Sequence, residues 1–250
     1  TFHTRRVLRS DPSSRILLRA TSHLFVINSA FVTAPALGGR QVRFTPPPVD
    51  VRLFDPEGVD VRQQYGIPAS QPLLVAIGKL APDRGFEDIL RAFAIVRERQ
   101  RSARLLVIGQ GPHQPALELL SRELAVGDAV IWSGYHEDDL AEHYRAADVL
   151  LFAARGSDEG HRAILEAIAC GTPAATYPLE GVEALIRPER SGIVAARMEP
   201  DALAEAASHL LELRLPRASC AAESEPFGFP RAAGRLVASY SHDAPGERSR

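Results

Sequence analysis

Asp158 and Glu166 stand eight positions apart in the segment Gly156-Ser157-Asp158-Glu159-Gly160-His161-Arg162-Ala163-Ile164-Leu165-Glu166-Ala167-Ile168-Ala169-Cys170-Gly171-Thr172-Pro173. The polar text before Gly160 reads as a loop and the apolar text after it as a helix, so Asp158 falls in the loop and Glu166 on the helix. A helix opening near Gly160, His161, Arg162 and Ala163 presents unpaired backbone N–H groups and the positive end of its dipole. Phosphates suit such an end, and carboxylates accept hydrogen bonds from vicinal sugar hydroxyls. That combination of groups suits a nucleotide sugar.

Two further cations stand upstream in Gly78-Lys79-Leu80-Ala81-Pro82-Asp83-Arg84-Gly85. Lys79 follows Gly78 at the carboxyl end of a predicted strand and Arg84 precedes Gly85 at a helix start, so both can point into one crevice. Solvated basic residues are common in such loops, and the bland reading of this pair is surface decoration. Glu166 has a bland reading too, because Arg162 lies four residues before it and the two could form a helix-surface ion pair worth roughly a few tenths of a kcal/mol. Against that stand its neighbours Ile164, Leu165, Ala167, Ile168 and Ala169, which do not describe a solvated face. Glu159 reads as a first-turn acid favoured by the dipole.

With these two motifs in this order, the chain resembles the family 4 retaining glycosyltransferases of the GT-B fold. Their pattern is G-R-L-x-x-x-K-G followed far downstream by E-x7-E-A-x-A-x-G-x-P. Lys79 stands where the family mostly has Arg, Arg84 where it mostly has Lys, and Asp158 where the first Glu is usual; each exchange keeps its charge. Arg offers phosphate a bidentate fork and Lys a point charge, so the exchange bears on geometry more than on binding itself. The run Pro46-Pro47-Pro48-Val49-Asp50 with Phe54 matches the family's P-P-G-V-D-x-x-x-F interdomain linker, with Pro48 in place of Gly. The resemblance implies a nucleotide-sugar-binding lobe at 55–215, preceded at 1–54 by the end of a first lobe and the linker, and followed at 216–250 by a tail. Most of the first lobe, with its acceptor-binding groups, would then lie outside this chain, which also lacks an initiating Met.

What the resemblance implies about chemistry is glycosyl transfer from a nucleotide-sugar donor, with retention and without a cofactor or metal, to an unidentified acceptor: a sugar, a lipid-linked glycan or a small molecule. Asp158, Lys79 and Arg84 would act at the reacting centre. Gly78, Gly109, Gly111, Ser133, Tyr135, Gly160, His161, Arg162, Ala163 and Glu166 would hold the donor, Ser133, Gly134, Tyr135 and His136 forming the wall against the base. A non-catalytic binding lobe and a nucleotide-sugar epimerase of similar fold are the alternatives.

Composition narrows the classes. A formal net charge of −2 over 250 residues supplies no basic field for nucleic acid. Cys170 and Cys220 form neither a disulfide framework nor a metal-ligand spacing, which fits a reducing cytosol. No apolar run reaches the ~18 residues of a spanning helix, and the first residues lack the apolar core of a signal peptide. A cytoplasmic location is expected, including a peripheral one at the inner face of a membrane.

The elements that must position these residues follow from periodicity. Strands are predicted at 73–77, 105–108, 130–132, 149–152 and 174–176, and helices at 86–99, 114–124, 138–146, 162–169 and 200–213. An apolar run at Leu24-Phe25-Val26-Ile27 reads as a further strand, and the tail as one short helix over 232–240 followed by disorder. Alternation of this kind implies an α/β fold: a Rossmann-like parallel sheet with helices on both faces and ligands at the carboxyl ends of the strands.

Three other features have plain readings. Gly109-Gln110-Gly111-Pro112-His113-Gln114 follows a strand and opens a helix, yet Gln114 replaces the third glycine of a dinucleotide fingerprint and no acid ends the next strand. A tight turn that lets the backbone approach a nucleotide explains it better. His136, Glu137, Asp138, Asp139 and His143 read as acids dressing a helix start and histidines facing water rather than as a metal site. Cys170 reads as a small buried residue without the basic neighbours of a nucleophile.

Overall fold

The protein is described by a computed structural model covering residues 24–26, 42–44, 47–154 and 160–241. Asp158 and Glu159 lie outside the described residues, as do the chain's first residues and the last ones of the tail.

Two short strands, β1 (Leu24–Val26) and β2 (Val42–Phe44), pair in parallel. The main sheet holds six parallel strands: β3 (Leu73–Ile77), β4 (Arg104–Ile108), β5 (Val130–Gly134), β6 (Val149–Phe152), β7 (Ala174–Thr176) and β8 (Gly192–Val194). Their spatial order is β5-β4-β3-β6-β7-β8, which counted from β3 is the doubly wound order 3-2-1-4-5-6. Between them run α1 (Phe86–Arg99), α2 (Gln114–Glu123), α3 (Leu140–Ala146) and α4 (Gly160–Ala169). Helices α5 (Pro200–Leu213), α6 (Arg217–Ala222) and α7 (Phe229–Ser241) follow.

The sheet is buried on both faces, and the side-chain period of two assigns each strand residue to one of two cores. Leu74, Ala76, Leu105, Val107, Val149 and Leu151 face α1, α2 and α5. Leu73, Val75, Leu106, Ile108, Leu150 and Phe152 face α3, α4 and α6. In α1 the buried residues Phe86, Ile89, Leu90, Phe93 and Val96 trace one helical face, with Glu87 and Asp88 in the first turn and Arg97 and Arg99 in the last to complement the dipole. Phe93 is fully buried, so truncating it to Ala should cost about 3–5 kcal/mol.

Helix α4 carries Glu166, and the helix is buried through Ile164, Leu165, Ala167, Ile168 and Ala169, all inside the second core. It closes with Gly171 N–H donating to the Ile168 carbonyl (2.8 Å) and Thr172 N–H to that of Ala167 (2.9 Å), the paired bonds of a Schellman motif. Arg62 pins the segment before the sheet to this layer: its Nε donates to the Ala146 carbonyl at 2.7 Å and its Nη2 to Asp148 at 2.8 Å. Phe54, from the same segment, packs edge-on against Tyr144 of α3. The linker is thereby fixed beside the ends of the strands.

Predicted and observed elements agree for β3, β6, β7, α1 and α5. Strand β5 is longer than predicted, α4 starts two residues earlier and α3 two later. Strand β8 was not predicted. Beyond Pro216 the chain forms α6 as well as the expected helix, and Cys220 and Phe227 are buried in the second core. Among the described residues no helix is long and apolar enough to cross a membrane.

Candidate functional site

The strand order reverses between β3 and β6, and the carboxyl ends of the strands there border an open cleft of about 1070 Å³. Its wall includes Gly78 and Lys79 after β3, Gly109, Gln110 and Gly111 after β4, and Arg162, Ala163 and Glu166 on α4. Tyr135, His136, Glu137 and Asp138 after β5 close one end, and Leu53, Phe54 and Leu140 add apolar surface.

Backbone hydrogen bonds stitch the three loops together. Gly109 N–H donates to the Gly134 carbonyl at 2.7 Å, Gly78 N–H to Ile108 at 3.0 Å, Leu80 N–H to Gln110 at 3.1 Å and His113 N–H to Leu80 at 3.1 Å. The stitching leaves no room at Gly109 (φ +138°), where a Cβ would lie 1.9 Å from the Gly78 oxygen. Gly85 (φ +72°) plays the matching part at the switch point, since a Cβ there would meet the Ala153 carbonyl oxygen at 2.3 Å. A hydrogen bond between Glu87 and His113 further ties the start of α1 to the start of α2.

Glu166 is only 6% exposed, although it lies on the cleft wall. Arg162 Nε donates to its Oε1 at 2.7 Å and the Tyr144 hydroxyl to its Oε2 at 3.4 Å. Burial pushes the Glu166 carboxyl above the usual range, opposed by the Arg162 charge. Tyr144 is raised well above its usual value, by its own burial first and then by the carboxylate. The helix pair anticipated from spacing is therefore real, but half of it is buried.

Of the other sequence-derived positions, Gly78, Lys79, Gly109, Gly111, Tyr135, Arg162 and Ala163 line the cleft. Gly160 is the first residue of α4. Arg84 is not on the lining; it sits in the turn Pro82–Arg84 with a buried Nε that has no hydrogen-bond partner among the described residues, 3.8 Å from Asp83. Ser133 is not on the lining either: its hydroxyl donates to the Val107 carbonyl at 3.1 Å. His161 is buried, also away from the lining. Tyr144, Leu53 and Leu140 escaped the sequence reading, and Phe54 was read there only as part of the linker motif, which was also the available signal for Leu53.

The histidines near β5 correct an expectation. His143 is fully buried rather than facing water, because its Nδ1–H donates to the Asp139 carbonyl at 2.9 Å and its Nε2 accepts from Tyr65 at 3.1 Å. Its ring packs against that of His136, tilted by 43° with the ring centroids 3.9 Å apart, and His136 in turn contacts Asp139 (2.9 Å) and the Ser133 carbonyl (3.1 Å). His136, Asp139 and His143 bring metal-ligating atoms within 4.8 Å of one another, but these hydrogen bonds already occupy the ring nitrogens. Cys170 is buried as expected, and burial pushes its thiol up to about 12.

The sequence profile described as Glycosyl transferases group 1 matches residues 60–225. The chain belongs to that family. It is 30% identical over 176 residues to a GDP-mannose-dependent alpha-(1-6)-phosphatidylinositol monomannoside mannosyltransferase of Mycolicibacterium smegmatis, covering 66% of this chain and 46% of the relative. A D-inositol 3-phosphate glycosyltransferase of Segniliparus rotundus is 29% identical over 211 residues, 80% of this chain and 47% of its own. The chain thus spans about half the length of the curated relatives it matches. A sucrose-phosphate synthase from Thermosynechococcus elongatus superposes with a TM-score of 0.80 at 22% identity, over 96% of this chain and 66% of that one, a likeness of fold with a GT-B enzyme.

Proposed function

We propose that this chain forms the donor-binding part of a glycosyltransferase that moves a sugar from a nucleotide-sugar donor to an acceptor hydroxyl. The observation that carries the proposal is Glu166, a nearly buried carboxylate on the cleft wall, about 1.7 helical turns from the opening of α4. A surface helix pair does not require that burial, whereas a ribose hydroxyl pair needs a fixed acceptor. In this reading the diphosphate lies against the first N–H groups of α4, Lys79 and Arg84.

The bond from the anomeric carbon to the phosphate oxygen breaks with its electrons leaving on the diphosphate. The acceptor oxygen attacks the same face, and its proton passes to the departing phosphate. Positive charge builds on the sugar and negative charge on the leaving group, so two cations and a helix dipole aimed at the diphosphate lower the barrier without a metal. Asp158, assigned on the motif alone, would hold the hexose hydroxyls near the anomeric carbon. The proposed setting is the cytoplasm, peripheral to the inner face of the membrane where the acceptor is lipid-linked.

A thermal-shift panel of UDP, GDP and ADP with their sugars tests the proposal. At least one nucleoside diphosphate should raise Tm in a concentration-dependent way. If none does, while the protein melts cooperatively, the donor-site reading fails.

A further inference from the structure

We propose that the His136 side chain is the platform on which the donor's nucleobase stacks, a contact made with the flat of the ring and tolerant of which base is bound. The inference rests on the donor-site reading above and adds a residue and a mode of contact to it. With the diphosphate against α4 and Lys79 and the ribose at Glu166, the base falls at the remaining end of the cleft. That end is the segment after β5, where His136 forms part of the wall.

Both nitrogens of the ring are already engaged. Nδ1 donates to the Asp139 carboxylate at 2.9 Å and Nε2 to the Ser133 carbonyl at 3.1 Å. Because both partners are acceptors, both nitrogens carry a proton in this arrangement, and neither keeps a lone pair for a ligand. The ring is then a cation whose charge Asp139 balances. One side of it packs against the His143 ring, centroid to centroid at 3.9 Å. Its side chain is nevertheless 17% exposed. What it can still present to the cleft is the carbon surface of a flat ring, which meets another flat ring by stacking rather than by hydrogen bonding. Every nucleobase has such a face, so the contact does not discriminate among them.

The platform is backed and set in place before any ligand arrives. His143, beneath it, is fully buried and fixed by the Asp139 carbonyl at 2.9 Å and by Tyr65 at 3.1 Å. The Tyr65 ring lies 5.9 Å further on, against His143. Asp139 therefore orients both imidazoles, one through its carbonyl and one through its carboxylate. A ring already held in one orientation loses little freedom when a base lands on it. Tyr135 is the other aromatic on this wall, but it is 61% exposed and no ring backs it among the described residues.

The rival account is that His136 only clips the segment after β5 to Ser133 and Asp139, and three variants separate the two. His136→Phe keeps a ring and loses both hydrogen bonds. His136→Gln keeps a donor for the same acceptors and loses the ring, and His136→Ala loses both. Titration calorimetry with UDP, GDP and ADP reads the affinity, displacement by inorganic pyrophosphate supplies a probe without a base, and Tm reports folding. For each diphosphate that binds, His136→Phe should stay within about threefold of the unmodified protein, while His136→Gln and His136→Ala weaken binding about tenfold, the scale of one base–aromatic stack. The loss should be the same factor for every base, and pyrophosphate should bind all four proteins equally. Unchanged binding by His136→Gln, or a loss in folded His136→Phe as large as in His136→Ala, would overturn the platform in favour of the clip. So would a matching loss for pyrophosphate. If His136→Phe does not fold, His136→Gln alone decides. If no diphosphate binds the unmodified protein, the donor-site reading falls and this inference with it.

Discussion

Arg162 and Glu166 meet at 2.7 Å across the boundary between solvent and core, the guanidinium side chain 70% exposed and the carboxylate side chain 7%. The exposed partner can turn to a ligand, while the buried one is fixed. Because burial raises the Glu166 carboxyl, the folded state holds a proton there to higher pH than the unfolded chain does. Ionised Glu166 therefore detracts from stability above its ordinary range, and stability falls as pH rises through the window between the unfolded and folded values.

Glu166→Gln should accordingly leave Tm unchanged or raise it, yet weaken nucleoside diphosphate. The ligand requires the ionised acceptor, so binding by the unmodified protein should weaken as pH falls through the raised folded value, and the variant should lose that dependence. Calorimetry across mildly acidic pH on both proteins decides it. A purely structural pair would show a loss of Tm in the variant and no change in ligand affinity.

Arg84 has a buried Nε with no partner among the described residues, an arrangement that costs energy unless a ligand supplies an acceptor. Arg84→Ala should weaken nucleoside-diphosphate binding by about 1.5–3 kcal/mol, the range for hydrogen bonds to charged groups. The nucleoside without phosphates should bind both proteins equally. Equal losses for the two ligands in titration calorimetry would remove Arg84 from the phosphate site.

Much of this architecture was legible because burial imposes periods on the sequence. The continuous apolar run Leu73-Leu74-Val75-Ala76-Ile77, as a strand buried on both faces requires, and the helical spacing of Phe86, Ile89, Leu90 and Phe93 located β3 and α1. The burial of Glu166 was legible from its apolar neighbours. Strand β8 was not, since three residues at a sheet edge carry too little pattern and depend on pairing with β7. The burial of His143 also escaped, because the group that satisfies it, Tyr65, lies 78 positions away in sequence and only the fold brings it near.

Gly109→Ala tests whether the stitched loops are as tight as the geometry requires. The added methyl would meet the Gly78 oxygen at 1.9 Å on a backbone at φ +138°, so the loops after β3 and β4 must separate. We expect a loss of about 1–3 kcal/mol, by analogy with other strained backbone positions, and a parallel loss of nucleotide binding. Urea melts read the first and thermal shift the second. Gly134→Ala is the comparison: its φ of +84° is also strained for alanine, but nothing lies within 4 Å of its Cβ. Its cost should be the smaller of the two.

His143 gives the chain an acid-sensitive point. Its carbonyl partner fixes the proton on Nδ1, and Nε2 must then be bare to accept from Tyr65, so the native fold holds the ring neutral. Burial lowers its proton affinity below the ordinary value of 6.5, and the neighbouring His136 adds to the same direction. The unfolded chain therefore binds the proton first as pH falls, and the stability contributed by the neutral ring is present above about 6.5 and lost progressively below it. His143→Phe removes that titration while keeping an aromatic ring of similar size, at the cost of the Tyr65 and Asp139 hydrogen bonds. Its Tm should be lower than that of the unmodified protein at pH 8, and the difference should shrink as pH is lowered towards 5. Parallel Tm-against-pH curves for the two proteins would refute the neutral, buried assignment.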